Sequence, residues 1–425
     1  MSSESSLQSH APASAPRYRH VSIGGAAVEV TQRHGELHMR SLEPLAELPP
    51  RLLDRLLHWA RVRPDQTFIA ARQDGGDWRR VSYAQMLDSV RAIAQSLLGY
   101  GLSAEKPLVL LSGNDIEHLQ MALGAMYAGI PYCPVSPAYS LLSQDYSKLR
   151  HVCELLQPGL VFVSDAAAYG RAIDAVLPLD TPLISVRGEV AGRPQVSFAS
   201  LLEQPGGAEA EAAFAATGPD TIAKFLFTSG STRLPKAVIT TQRMLCANQQ
   251  MLLQTFPVFG EEPPVLVDWL PWNHTFGGSH NLGIVLYNGG SFYLDDGKPT
   301  AQGFAQTLRN LKEISPTAYL TVPKGWEELV SALEQDAELR DSFFKRVSLF
   351  FFAAAGLSQS IWDRLDRVAE QHCGERIRMM AGLGMTEASP SCTFTTGPLS
   401  MAGYIGLPAP GCEVRLVPKE GKLEG

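Results

Sequence analysis

The chain has 425 residues, which is long for one hydrophobic core and favours two or three subdomains. Hydrophobic residues make up 45% of it, as in soluble globular proteins, and no apolar run approaches the ~20 residues of a membrane span. The net charge of −7 argues against nucleic acid or an anionic membrane as the main partner.

Residues 1–19 are rich in Ser, Ala and Pro and predict a disordered tail, not a secretory signal. The six cysteines form no CxxC pair and lie at no metal-ligand spacing from the histidines. They therefore indicate reduced thiols of a cytoplasmic protein, and they argue against a disulfide framework or a metal cluster.

From residue 20 to 205, strand-like and helix-like apolar patterns alternate. The strand patterns are 20–30 with 36–39 as a hairpin, then 67–71, 78–81, 108–111, 132–135, 160–163 and 183–186. The helix patterns are 52–59, a helix capped by Ser82, one opened by Asn114, then 146–156 and 169–177. This alternation predicts a first α/β subdomain, with a parallel sheet between helices.

Residues 206–219 are rich in Gly, Ala and Glu and predict a linker. A second α/β subdomain is predicted over 220–400, with helices at 241–253, 304–312 and 326–338 and strands at 222–227, 237–239, 265–269 and 349–352. Residues 401–425 predict the start of a β-rich subdomain, in which 413–417 alternates like an edge strand.

The loop Phe227–Lys236 joins hydroxyl groups, a glycine and a lysine directly after a buried strand. Glycine lets main-chain N–H groups approach phosphate oxygens, hydroxyls donate hydrogen bonds, and lysine adds a mobile positive charge. The loop is not a Walker motif, because Pro235 precedes Lys236 and Ala237 follows it. An ordinary surface turn is the alternative interpretation.

Three further stretches agree with a phosphate-binding interpretation. Trp269–Gly278 places a histidine and aromatic residues before paired glycines, and Phe352–Leu357 leaves room for a flat ring. Gly382–Glu387 offers a hydroxyl and a carboxylate oxygen suited to Mg²⁺. Taken singly, each stretch has another explanation. The first is compatible with a histidine packed in the core, the second with tight helix–sheet packing, and the third with a helix cap.

Together with Gly403–Gly411, these stretches occur in the order found in the adenylate-forming superfamily, which the chain resembles from about residue 50 onward. That superfamily comprises acyl- and aryl-CoA synthetases, adenylation domains of peptide synthetases and firefly luciferase. Residues 111–118, 138–141, 268–278 and 295–299 further resemble feruloyl-CoA synthetases. The resemblance implies an α/β fold with mixed and parallel sheets flanked by helices.

The resemblance also implies a role for individual residues. The phosphates of ATP would be held by Thr228, Ser229, Gly230, Ser231, Thr232 and Lys236. The adenine of ATP would lie against Ala354, Ala355, Gly356, Leu383 and Gly384, and Thr386 would contact the α-phosphate. Glu387 and Thr232 would bind Mg²⁺. The acid would contact His274, Phe276, Gly382, Gly384 and Pro390, and the catalytic set would be Lys236, Thr386, Glu387 and His274.

The implied reaction is ATP-dependent adenylation of a hydroxycinnamate such as ferulate, followed by thioester formation with CoA. Benzoate or a fatty acid as substrate, and a non-catalytic binding module, are the alternatives; homodimers are common in the family. Arg233 and Ala237 stand where the superfamily loop usually carries glycine, and Leu383 replaces an aromatic residue. Arg233 and Ala237, together with the missing C-terminal part of the superfamily pattern, motivate the non-catalytic alternative.

The superfamily continues with a ribose-binding Asp, a hinge and a small C-terminal domain that carries a catalytic lysine. This sequence stops at Gly425, shortly after the Gly403–Gly411 motif. It is therefore expected to be the large N-terminal domain of a longer enzyme. We expect such a domain to bind ATP and the acid but to form thioester poorly.

Overall fold

The computed structural model describes residues 16–228, 234–300, 302–397, 399, 401–419 and, for the main chain alone, 422–424. The strands in chain order are β1 (Val28–Arg33), β2 (Glu36–Ser41), β3 (Thr67–Arg72), β4 (Trp78–Ser82), β5 (Leu108–Leu111), β6 (Tyr132–Pro134), β7 (Leu160–Asp165), β8 (Leu183–Arg187), β9 (Gln195–Ser197), β10 (Ile222–Thr228), β11 (Lys236–Thr241), β12 (Val265–Asp268), β13 (Ser291–Leu294), β14 (Ala318–Thr321), β15 (Leu349–Phe352), β16 (Arg378–Gly384), β17 (Ser391–Phe394), β18 (Leu407–Pro408), β19 (Glu413–Lys419) and β20 (Lys422–Glu424).

The helices in chain order are α1 (Leu53–Val62), α2 (Tyr83–Leu98), α3 (Ile116–Tyr127), α4 (Ala138–Leu141), α5 (Ser147–Leu156), α6 (Ala166–Val176), α7 (Ala208–Ala216), α8 (Gln242–Thr255), α9 (Val258–Glu261), α10 (Leu282–Asn288), α11 (Phe304–Glu313), α12 (Pro323–Gln335), α13 (Ala337–Phe343) and α14 (Gln359–Cys373). Short 3₁₀ turns cover Phe198–Leu202 and Thr386–Ala388, and a π-helical turn covers Phe276–Asn281. No helix in the described ranges combines the length and the apolar character that a membrane crossing requires.

In the described part of the chain, the strands form sheets with the orders β11–β10–β6–β5–β7–β8–β9, β12–β13–β3–β4, β14–β15–β16–β17–β18 and β1–β2–β19–β20. The first sheet is parallel from β10 through β9, and only β11 runs antiparallel. Its inner strand β5 is buried at every residue, as expected where helices cover both faces. The expected α/β fold with mixed sheets and flanking helices is confirmed.

Local sequence signals explain several element boundaries. Ser82 and Gln85 form a reciprocal capping box at the start of α2, as the expected Ser82 cap requires. The helix predicted to open at Asn114 begins instead at Ile116, because the Asp115 carboxylate caps it by accepting from the His118 N–H. Asn114 has a different role, described below.

The predicted linker 206–219 contains α7, which packs on the first subdomain. Phe214 is buried and stacks on Tyr127 with ring centroids 4.3 Å apart. The Arg51 guanidinium lies 4.0 Å from the centroid of the Phe214 ring. Beyond α7, β10 joins the same sheet as β6. The segment is therefore not an extended linker, since burial of Phe214 stabilises a helix there.

Three smaller expectations also need correction. Residues 17–19 of the predicted tail are anchored, because the Arg19 guanidinium donates to the carbonyls of Phe344 (2.6 Å) and Val347 (2.7 Å); residues 1–15 lie outside the described ranges. The helix predicted over 326–338 is two helices, α12 and α13. Strand β19, predicted as an edge strand, lies between β2 and β20 in the sheet order; it pairs with β2 through Glu413–Leu416 and with β20 through Val417–Lys419.

Candidate active site

A cavity of about 70 Å³ lies where β15 and β16 end and the segment after β12 folds over them. Because β15 and β16 are parallel neighbours, their carboxyl ends meet at one edge of the sheet, the usual place for a ligand. The lining residues are His274, Thr275, Phe276, His280, Phe351, Ala353, Ala354, Gly382, Leu383, Gly384, Pro390 and Ser391. The structure thus brings together predicted site residues from three separate motifs.

Side chains alternate between the two faces of β15, and this alternation determines which of them line the cavity. Phe350 and Phe352 pack into one core, whereas Phe351 points to the opposite face and lines the cavity. After the strand, Ala354 adopts φ = +73°, a conformation that costs an alanine about 1 kcal/mol. Ala354 lines the cavity, and the predicted residues Ala355 and Gly356 follow it on the exposed part of the loop.

The glycines of β16 are required by close main-chain packing. A Cβ atom on Gly382 would lie 2.6 Å from the Thr393 carbonyl oxygen, and one on Gly384 would lie 2.5 Å from that of Pro390. Both glycines line the open space of the cavity. Leu383, predicted to contact adenine, is 42% exposed beside that space.

Asn114 fixes the start of the aromatic segment that covers the cavity. Its amide donates to the Leu270 carbonyl (2.8 Å) and its oxygen accepts from the Trp272 N–H (2.9 Å). Further along, His274 stands exposed at the cavity rim, and its Nδ1 accepts from the Phe276 N–H at 3.2 Å. Partial burial lowers the pKa of His274, which favours the neutral ring at neutral pH.

His280 is a cavity residue that the sequence interpretation missed. It is 2% exposed and its ring stacks on Phe351 with centroids 5.2 Å apart. Its Nδ1 lies 2.8 Å from the Asn281 oxygen, and the Asn281 amide donates to the buried Asp268 carboxylate at 2.9 Å. Burial lowers the pKa of His280 to about 4 and raises that of Asp268 to about 7.

The predicted phosphate loop joins the antiparallel strands β10 and β11, with Thr228 directly opposite Lys236. Its members Ser229, Gly230, Ser231, Thr232 and Arg233 lie outside the described residues. Lys236 is exposed, and the His151 ring Nε2 lies 2.9 Å from the Pro235 carbonyl, to which its N–H donates. His151 therefore ties the end of the loop to α5.

The turn that carries Thr386 and Glu387 lies against β11, so the two phosphate-related motifs are neighbours in space. The buried side chain of Asn248 on α8 holds this turn by donating to the Ser391 carbonyl (2.9 Å) and the Ala388 carbonyl (3.3 Å). A main-chain bond from the Met385 N–H to the Pro390 carbonyl (2.8 Å) closes the turn. Asn248 was also missed, because no local pattern links it to the turn.

Among the described residues, no group of three or more His, Cys, Asp or Glu side chains could hold a metal. The exposed Glu387 carboxylate next to Thr386 does fit Mg²⁺ held by one carboxylate together with substrate phosphates. The six cysteines are all free thiols, as predicted.

Lys224 lies behind the aromatic segment and is 2% exposed. Its ammonium nitrogen donates to the Gly278 carbonyl at 3.2 Å, and burial lowers its pKa to about 7. A second internal cavity beside it is lined by apolar residues of α8 and α10, among them Leu245, Leu282 and Leu286.

We expect the stability difference between the wild type and Lys224→Met to change with pH. Between pH 7 and the ordinary lysine pKa of 10.5, the unfolded chain binds the Lys224 proton and the folded chain releases it. Wild-type stability should therefore rise with pH relative to Lys224→Met, by roughly 2 kcal/mol from pH 7 to pH 9. Urea denaturation of both proteins at the two pH values measures this.

The exposed Lys106 supplies the matched control for this prediction, and Lys106→Met should follow the wild type at both pH values. Parallel pH curves for the wild type and Lys224→Met would show that the folded protein accommodates the Lys224 ammonium without penalty.

A family model described as AMP-binding enzyme matches residues 56–424. The long chain acyl-CoA synthetase 6, peroxisomal, of Arabidopsis thaliana is 25% identical over 406 residues, covering 84% of this chain and 54% of that protein. The chain spans about half the length of the curated relatives it matches.

Solved structures show the same fold at low sequence identity. A long-chain-fatty-acid-CoA ligase from Archaeoglobus fulgidus superposes with a TM-score of 0.67 at 18% identity, covering 86% of this chain and 71% of that one. An anthranilate CoA ligase in complex with anthranoyl-AMP superposes with a TM-score of 0.70 at 19% identity, covering 89% and 67%.

Proposed function

Because the chain belongs to the AMP-binding enzyme family, we propose that it activates an aromatic carboxylic acid with ATP. A carboxylate oxygen of the acid attacks the α-phosphorus of ATP, the bond to pyrophosphate breaks, and the acyl-adenylate forms. The sulfur of CoA then attacks the acyl carbon, the bond to AMP breaks, and the thioester forms as AMP and the thiol proton leave. A hydroxycinnamate such as ferulate is the proposed acid.

The observation that best supports an aromatic substrate is the set of aromatic rings that line the cavity. The rings of Phe276, His280 and Phe351 close it, with centroid separations of 5.2 to 6.0 Å. A flat ring can stack or pack edge-on in such a space, whereas a long alkyl chain needs a tunnel beyond it. The aromatic lining of the cavity, rather than its volume of about 70 Å³, therefore supports an aromatic acid.

The proposed roles follow the positions of the motifs. Thr228, Lys236 and the loop between them bind the β- and γ-phosphates and stabilise the charge that grows on departing pyrophosphate. Thr386 contacts the α-phosphate, and His274 at the cavity rim lies near the acid carboxylate. Mg²⁺, when bound at Glu387, supplies charge neutralisation to the phosphates.

A long-chain fatty acid is the second candidate. The Arabidopsis thaliana relative is a long chain acyl-CoA synthetase, and the similar Archaeoglobus fulgidus structure is a long-chain-fatty-acid-CoA ligase. The apolar cavity between α8 and α10 lies directly behind Gly278 and Ser279, so a shift of residues 276–281 would lengthen the acyl pocket toward it.

Calorimetric binding of non-hydrolysable acyl-adenylate mimics to this chain tests the proposal. We expect the feruloyl mimic to bind more tightly than the octanoyl mimic, because a flat ring can pack against the aromatic wall that Phe276, His280 and Phe351 form. A benzoyl mimic reports whether the cavity requires the longer cinnamoyl group. Preference for octanoyl would assign the enzyme to fatty acids, and no binding of any mimic would favour a module without adenylation activity.

A further inference from the structure

His280 combines three features at the wall of the acyl cavity: it is buried, it lines the cavity, and its Nε2 atom has no hydrogen-bond partner within the described residues. A buried acceptor or donor without a partner costs roughly 1–3 kcal/mol. When such an atom belongs to a residue that lines a ligand cavity, a polar group of the ligand is expected to supply the missing hydrogen bond.

The hydrogen bonds behind His280 determine which kind of partner Nε2 requires. The Asn281 amide nitrogen donates to the Asp268 carboxylate at 2.9 Å, so the Asn281 oxygen faces His280 Nδ1 as an acceptor at 2.8 Å. Nδ1 must then carry the proton. The ring is neutral, because burial lowers the pKa of His280 to about 4. A neutral imidazole carries one N–H, so Nε2 is an acceptor.

The ring is also held rigidly enough to select a ligand. It stacks on Phe351 and meets Phe276 edge-on at 5.3 Å. The Gln249 amide donates to the carbonyls of Ser279 (2.8 Å) and His280 (3.3 Å), which fixes the main chain of the π-helical turn. A rotation of the imidazole would break the Asn281 bond and the stacking on Phe351 together.

We infer that His280 Nε2 accepts a hydrogen bond from a hydroxyl or amino group on the ring of the acid, and that this contact selects substituted aromatic acids. The inference rests on the proposed function, since it names the substituent that the same cavity recognises. Unsubstituted and O-methylated analogues leave Nε2 without a donor in a desolvated site.

Four cinnamoyl-adenylate mimics test the inference by calorimetry on this chain: the 4-hydroxy, 4-amino, unsubstituted and 4-methoxy compounds. We expect the 4-hydroxy or the 4-amino compound to bind about tenfold more tightly than the unsubstituted one, as one additional neutral hydrogen bond provides. The comparison of the 4-hydroxy and 4-amino compounds identifies the donor. The 4-methoxy compound should bind no better than the unsubstituted one.

Variants separate recognition by His280 from general packing. His280→Phe keeps an aromatic ring and should bind the 4-hydroxy and unsubstituted compounds equally, whereas His280→Gln keeps an acceptor oxygen and should retain part of the preference. His274→Phe is the matched control at the rim, where a change in affinity should be the same for all four compounds.

The outcomes distinguish this inference from the proposed function. Equal binding of all four cinnamoyl compounds to the wild type would overturn the role of His280 and leave an aromatic substrate in place. An unchanged preference in His280→Phe would also overturn it. Binding of an octanoyl mimic without binding of any cinnamoyl mimic would overturn the proposed function itself.

Discussion

Lys236→Ala should slow acyl-adenylate formation by roughly 100-fold, the usual loss when one charge-stabilising donor is removed from an active site. Lys236 begins β11 opposite Thr228, is exposed at the mouth of the loop, and lies on the strand that contacts the Thr386–Glu387 turn. Its loss should affect ATP and leave the acyl cavity intact. Single-turnover acyl-AMP formation over a range of ATP concentrations measures the first effect, and calorimetry with the acid measures the second.

The control for this prediction is Lys106→Ala, which removes an exposed lysine ahead of β5 and should behave as the wild type. An equal loss of ATP use and acid binding in Lys236→Ala would contradict the assigned role, since it would indicate a disturbed fold at the β10–β11 hairpin.

Asn248→Ala should lower the rate of acyl-adenylate formation by up to about 100-fold, because small misplacements of catalytic groups have effects of that size. Asn248 does not reach the cavity; it positions the turn that carries Thr386 and Glu387 through the carbonyls of Ala388 and Ser391. The variant should also lose about 2 kcal/mol of unfolding free energy, because these buried carbonyls lose their donor.

Asn288→Ala is the matched control for Asn248→Ala. Asn288 is also buried and its amide donates to the Ile284 carbonyl at 2.9 Å, but it lies on α10 away from the turn. We expect it to lose stability without a comparable loss of adenylate formation. If both variants lost activity in proportion to stability, Asn248 would have no specific positioning role.

Local sequence patterns predicted most of the individual helices and strands between residues 20 and 205, because each pattern reports on its own element. The all-apolar strand β5 and the Ser82–Gln85 capping box are properties of a few consecutive residues. Residues 206–219 show where this fails. Their Gly-, Ala- and Glu-rich composition suits a linker or a helix equally, and the buried stacking of Phe214 on Tyr127 decided for a helix.

Some residues of the candidate site were predicted from local sequence, and others were missed. Residue types in continuous stretches predicted the Phe227–Lys236 loop, the segment around His274 and the Gly382–Glu387 turn, because phosphate, Mg²⁺ and flat rings require particular side chains close together. The structure places parts of the last two at one cavity. Cavity neighbours such as Phe351 and His280 were missed. The direction in which each of these two side chains points depends on its strand or turn and on what packs behind it.

The sequence by itself therefore determined the family, since its motifs and their order are those of the AMP-binding enzymes to which the chain belongs. Only the tertiary structure showed which side chains from distant segments line the cavity and which buried side chain contacts the Thr386–Glu387 turn. Those properties arise from contacts between segments far apart in the chain, such as Asn248 with Ser391 and His280 with Phe351. Cavity shape and the orientation of a buried acceptor are set by packing, for which a linear pattern carries no signal.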